Sequence, residues 1–405
     1  MATLLALTVS PRCLIAQTES PELRFDRLMK DILILDTHID TSWYIVDEGY
    51  DLGVEHDYYQ TDIPRLRRGR FGAVFFGVPI HGPGFSPQQW VERALDLMDS
   101  IHETVRRYPN DLEMAGTSGD IRRIHRQGKI AALLGLEGGH MMVDDLRILR
   151  NYYRLGVRYM TLTHFKTNNW ADSSTDLAVH NGLTPFGREV VAEMNRLGMM
   201  IDTSHASDKT FYDTLAVTRS PVIASHSSAR ALCDIPRNMN DDMLRALAKN
   251  GGVAFINFAV IYLDPKAYQV FIGYRDQRDH EIDDLMTRQG PNPKSFELKR
   301  AIQGRYRRLL PTVGYQLILD HIDHVVKLVG PDHVGLGSDY DGLSGMVPQG
   351  LEDVSKYPVL VRGMIDRGYS DADIRKIMGE NLLRVIKRNE EVADSLAAKP
   401  ALGPK

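Results

Sequence analysis

Eight short apolar runs rich in β-branched residues recur along the 405-residue chain, around 32–38, 71–79, 130–137, 159–164, 199–205, 221–226, 251–258 and 333–339, with helical segments between them. Near-continuous apolar strands alternating with helices predict a parallel sheet covered on both faces. Eight such repeats predict an α/β fold of one kind, a (β/α)8 TIM-like barrel, whose chemistry sits at the C-terminal ends of the strands. A doubly wound open sheet is the rival. It would use fewer strands and carry a glycine-rich phosphate turn after the first one, whereas the first run here leads into Asp36-Thr-His-Ile-Asp40. Helix ends are marked as well. Thr184-Pro185 opens a helix that closes at Gly198, Asn240 with Asp241 and Asp242 opens another that closes at Gly251, and Ser370 with Asp371 and Asp373 opens the last.

Hydrophobic residues make up 43% of the chain and charged residues 25%, and no long Pro, Ser or Gln tract interrupts it, so one large core is expected rather than two small ones. The expected organisation is an N-terminal tail or weak signal segment over 1–22, the barrel over 23–392 and a flexible C-terminal tail over 393–405. Between Ile261 and Pro311 the pattern turns charged and irregular, which reads as an insertion on the top face: a lid, a subunit contact or a surface helical excursion. A net charge of −4 with scattered Lys and Arg argues against nucleic acid as a partner. No run approaches the roughly 18–20 apolar residues that span a bilayer. The polar C-terminus offers no lipid-anchor signal. Leu4–Val9 makes a poor secretory signal, because no basic residue precedes it and Arg12 follows closely. A soluble protein without a membrane anchor is expected, its compartment (cytoplasmic, or periplasmic or secreted) left open. Cys13 and Cys233 build no disulfide framework.

A lone histidine on a strand is ordinarily a hydrogen-bonded core residue. Here His38, His164, His205 and His226 fall at the downstream ends of four separate runs, which that reading does not explain. Strand alternation puts His38 and Asp40 on one face. Glu137 ends another apolar run just before Gly138 and Gly139, where a buried carboxylate is costly unless it is coordinated. His38, Asp40, Glu137, His205 and His226 supply more nitrogen and carboxylate ligands than one catalytic ion requires. Two ions sharing one carboxylate would use all five, and a pair roughly 3.5–4 Å apart activates water for hydrolysis. The residues alone leave His164 open between ligand and non-ligand. Asp339 and Asp341 could each shuttle a proton, and the strand-end position favours Asp339.

Asp36-Thr-His-Ile-Asp40, Gly135-Leu-Glu-Gly-Gly-His140, Tyr159-Met-Thr-Leu-Thr-His164, Asp202-Thr-Ser-His205, Ser225-His-Ser-Ser-Ala229, Pro236-Arg-Asn238, Gly337-Ser-Asp-Tyr-Asp-Gly342 and Gly350-Leu-Glu-Asp-Val-Ser-Lys-Tyr357 occur in this order. Together they resemble the membrane (renal) dipeptidase family, a branch of the metal-dependent amidohydrolase barrels, from about residue 25 to about residue 390. The resemblance implies a zinc-dependent dipeptidase with two Zn2+ per chain and a hydroxide bridging them. His38 and Asp40 would hold one ion, His205 and His226 the other, with Glu137 between. It further implies that His164 contacts the substrate or its tetrahedral intermediate, that Arg237 grips the substrate carboxylate and that Asp339 handles the proton. A fork of donors matching a carboxylate gives Arg237 physical sense. Acceptance of a C-terminal D-residue and a homodimer are implied too. Mammalian members are lipid-anchored, disulfide-linked dimers, whereas Cys233 has no evident partner here and the anchor signal is missing, which implies a soluble, bacterial-type form. The rivals are an amidohydrolase acting on another small amide, a lactone or an N-acyl amino acid, and a non-catalytic barrel that only binds. Intact residues at all five ligand positions argue against the second.

Overall fold

The apolar runs become strands in a computed structural model that describes residues 19–80 and 85–398. They are β1 (Ile34–Ile39), β2 (Phe71–Pro79), a short β3 (Leu112–Met114), β4 (Ile130–Glu137), β5 (Val157–Thr161), β6 (Met200–Asp202), β7 (Ile223–Ala224), β8 (Val253–Ile256) and β9 (Val334–Leu336). All pair in parallel in the order β1-β2-β4-β5-β6-β7-β8-β9, with β3 attached to β4 outside this path. Every residue of β2 and β4 is buried, as expected for strands with a packed layer on each face. Alternation sorts the two layers. Ala73, Phe75, Ala131, Leu133, Tyr159, Met200 and Ile223 share a cluster with Leu382, Leu383 and Ile386 of the final helix Asn381–Ala397, which plugs the barrel floor. Their neighbours Val74, Phe76, Ala132 and Leu134 belong to the larger core under the surrounding helices.

The sheet closes where β1 meets the residues just after β9. The Asp339 amide donates to the His38 carbonyl and the Asp40 amide to the Tyr340 carbonyl, both at 2.9 Å. This seam lies at the C-terminal strand ends, the end that carries the chemistry in such barrels. The marked helix ends behave as caps. The Thr184, Asn240 and Ser370 side chains accept from the Gly187, Met243 and Asp373 amides, and Gly198 and Gly251 close their helices in the left-handed conformation with φ of 77° and 83°.

Two expectations need refinement. Most strands are shorter than their apolar runs, so His164, His205, His226 and Asp339 lie in the loops just beyond them. The irregular stretch after β8 is two regular helices, Pro265–Gln289 and Pro293–Arg307, capped by Asp264 and Asn292. Their sequence looks irregular because few of their side chains are buried, so charged residues surround both. They are tied to the barrel top by Arg300 on Glu48 (2.6 Å) and Gln303 on Ser344 (3.0 Å). Among the described residues no helix is long and apolar enough to cross a membrane. Leu4–Val9, Cys13 and residues 399–405 lie outside the described residues.

Candidate metal centre

Six loops and strand ends bring the singled-out residues to one point above the barrel. Glu137 Oε1 lies 3.6 Å from His38 Nε2, 3.5 Å from His164 Nε2, 3.1 Å from His205 Nε2 and 3.2 Å from His226 Nε2. The Nε2 atoms of His205 and His226 are 3.0 Å apart, and His38 Nε2 is 3.2 Å from Asp40 Oδ1. Three overlapping groups place their ligand atoms within 4.8 Å of one another, close enough to share an ion: His38, Glu137 and His226; Glu137, His164 and His205; His38, Asp40 and Asp339. All these side chains are buried. Distance alone does not set His164 apart from the other imidazoles.

Local backbone makes the convergence possible. His205 and Asp339 take left-handed conformations with φ of 66° and 61°, unusual for side chains of this kind, and so turn inward where the strand would have carried them up. Gly77 on β2 leaves the space: a Cβ there would stand 2.2 Å from Asp40 Oδ1 and 3.2 Å from the His38 ring. Asn257 donates to Asp339 Oδ2 at 2.9 Å while its own carbonyl accepts from the Ala259 amide. Asp341 faces away from the cluster. It accepts from Thr41 and the Gln60 amide.

The electrostatics call for positive charge. Burial, and then the neighbouring Asp40 carboxylate, push Asp339 well above the usual carboxylate range, and burial also raises Glu137. His205 and His226 are held well below the usual imidazole range, first by burial, so both are neutral with lone pairs to offer. His38 Nε2 and Asp40 Oδ1 are buried with no hydrogen-bond partner among the described residues. Buried, unsatisfied donors of imidazole nitrogen and carboxylate oxygen fit divalent metal ions of the borderline class.

Arg237 stands beside this cluster, 4% exposed. Its Nη1 donates to Ser227 Oγ at 2.9 Å and the guanidinium lies 5.6 Å from the Tyr262 ring centre. Its Nε and Nη2 have no partner among the described residues, so a buried cation keeps unused donors. On the other side of His164 a cavity of about 310 Å3 opens between Ile80, Trp90, His140 and Phe165. Sequence reasoning missed Gly77, Asn257 and this cavity. Asn257 did carry a signal, as a polar residue ending the apolar run Val253-Ala-Phe-Ile.

Comparisons with known proteins agree with this picture. A model of the membrane dipeptidase family, peptidase family M19, matches residues 22–400. Dipeptidase tcpJ of Claviceps purpurea is 38% identical over 361 residues, covering 85% of this chain and 75% of that protein. An uncharacterized dipeptidase, C965.12, of Schizosaccharomyces pombe is 36% identical over 406 aligned positions, covering 95% of this chain and 86% of that protein. Among solved structures, the probable dipeptidase PvdM from Pseudomonas aeruginosa superposes with a TM-score of 0.78 at 28% identity, covering 92% of this chain and 99% of that one. With the barrel, its ligand-rich mouth and a family match over nearly the whole length, the chain belongs to the membrane dipeptidase family, metallopeptidases that hydrolyse the peptide bond of dipeptides.

Proposed function

We propose that the chain is a two-zinc dipeptidase whose substrates include dipeptides with a C-terminal D-residue. The observation that carries the metal assignment is the convergence of four imidazole nitrogens on one oxygen of Glu137. His38 and Asp40 would hold one ion and His205 and His226 the other, with Glu137 between the two pairs. Two such ions supply Lewis-acid polarisation of a carbonyl and a water of lowered pKa. The remaining work falls to this chain's own side chains. Arg237 binds the terminal carboxylate of the substrate with its free Nε and Nη2, a bidentate match. His164 lies beside the cluster, where negative charge develops on the peptide oxygen, and offers a donor to it. Asp339, held by Asn257, carries a proton to the departing amine. The acceptance of a C-terminal D-residue rests on the family resemblance.

Strand order orients the peptide. Arg237 follows β7, whereas the cavity formed by Ile80, Trp90, His140 and Phe165 follows β2, β4 and β5, across the mouth of the barrel. A dipeptide anchored by its carboxylate at Arg237 therefore places its first side chain in that cavity. The test is a panel of L,L- and L,D-dipeptides, alongside N-acyl amino acids, offered to zinc-loaded enzyme. Amino acid release from the dipeptides, including the L,D forms, is expected. Cleavage of the N-acyl compounds alone would assign the site to another amidohydrolase reaction, and failure on L,D-dipeptides with cleavage of the L,L forms would refute the D-residue.

A further inference from the structure

We infer that Tyr159 and the Ser225–Asp202 pair are positioning residues that fix the ligand tautomers of His38 and His226 and so set the affinity of the two metal positions separately. The inference rests on the metal assignments proposed above. Tyr159 Oη lies 2.6 Å from His38 Nδ1 and 2.9 Å from the Thr37 carbonyl oxygen. A phenol carries one proton and a carbonyl can only accept, so the hydroxyl donates to Thr37 and its lone pair receives the Nδ1–H of His38. That leaves His38 Nε2 bare, buried and facing Asp40 and Glu137, the form a metal ligand needs.

His226 is held by a second relay of different character. Its Nδ1 is 2.7 Å from Ser225 Oγ, and Ser225 Oγ is 2.5 Å from Asp202 Oδ2. The carboxylate accepts the hydroxyl's hydrogen bond, so the hydroxyl lone pair is left to accept the Nδ1–H of His226. Asp202 is itself fixed by the Ser204 and Ser225 amides at 3.0 and 2.8 Å. One relay ends on a neutral carbonyl, the other on a carboxylate, which raises the basicity of its imidazole more. His205 has neither: its Nδ1 is buried without a hydrogen-bond partner among the described residues.

The Tyr159 relay is built into the barrel interior. The ring lies directly over Gly135 of β4, where a Cβ would stand 2.1 Å from its Cζ, so a side chain at 135 would push the phenol off its path to His38. An aromatic ring kept only to fill the interior would not need its oxygen. The oxygen instead connects two groups of β1, the Thr37 carbonyl and the His38 ring.

The experiment uses the full-length holoenzyme and the variants Y159F, S225A and S225T. Bound ions per chain are counted after dialysis against graded chelator, and cobalt(II) titrations are followed by the visible absorption of the bound ion. Loss of an outer partner of a metal-bound histidine typically costs about 10–100-fold in affinity. Y159F should therefore release one ion at about 10–100-fold lower chelator strength while the second stays at the wild-type value. S225A should loosen one ion in the same way, and S225T, which keeps the hydroxyl, should restore it. Both ions held as tightly as in wild type by Y159F and S225A would overturn the inference. So would equal loosening of both ions in each variant, the mark of general structural damage. If wild type binds no divalent ion at all, the metal reading itself falls and the relays fall with it.

Discussion

At the scale of single residues, Arg237 shows how a buried charge announces a ligand. A guanidinium with two unused donors is costly in a protein interior unless something arrives to satisfy them. Hydrogen bonds to a charged group contribute about 1.5–3 kcal/mol. Arg237→Ala should thus lower kcat/KM for dipeptides by roughly 10–100-fold, mainly through KM, with Arg237→Lys recovering only part because it lacks the fork. A dipeptide amide, which has no terminal carboxylate, is the control: wild type and R237A should cleave it equally slowly. A large further loss on the amide would mean that Arg237 acts elsewhere. The ligand-type residues could be read from the sequence because each is a polar side chain ending an apolar run. Gly77 and Tyr159 could not be read as site residues. A glycine or tyrosine inside an apolar strand looks like packing until the partner strand is placed beside it.

At the scale of elements, the helix Gln316–Val329 carries a second kind of polar contact, one that organises loops. Its His321 accepts from the Ala229 amide at 3.1 Å and faces the Leu263 carbonyl at 3.2 Å, joining the loop that leads to Arg237 with the start of the helical insertion. Burial pushes this imidazole down to about 4 from 6.5. The unfolded chain takes up the proton first as pH falls, so the stability held above pH 6.5 is lost progressively down to about pH 4. By the linkage relation the loss is about 3 kcal/mol, as an order of magnitude. Melting curves of metal-free protein between pH 7.5 and 5 should show a steeper decline for wild type than for His321→Gln, and parallel curves would contradict it. Helix caps such as Thr184 and Asn240 were readable from residue chemistry. β2 and β4 end where their apolar runs end, but the shorter strands stop before theirs, as β5 does at Thr161 while Leu162 beyond it is still buried.

At the scale of the whole molecule, the eight runs mapped in order onto eight wall strands, because sequential neighbours in a parallel barrel are joined by covering helices. The short β3 escaped notice, since three residues carry no periodicity. The metal cluster draws on several strand ends, so ions bound there should stabilise the folded barrel as a unit. Ligand at about 1,000 times its Kd adds about 4 kcal/mol. Chelation should therefore lower the Tm of wild type by several degrees, while Glu137→Ala should lose metal and activity together and melt at the same temperature with or without chelator. Full metal occupancy in that variant would show that Glu137 is not a ligand.

The seam that pins His38 and Asp40 to the backbone of Asp339 and Tyr340 joins the first strand to the last. A polypeptide still being translated holds the first two of these and lacks the others until residues 339 and 340 have been made. A fragment that ends before β9 therefore lacks both acceptor and donor of this seam and cannot close the barrel through it.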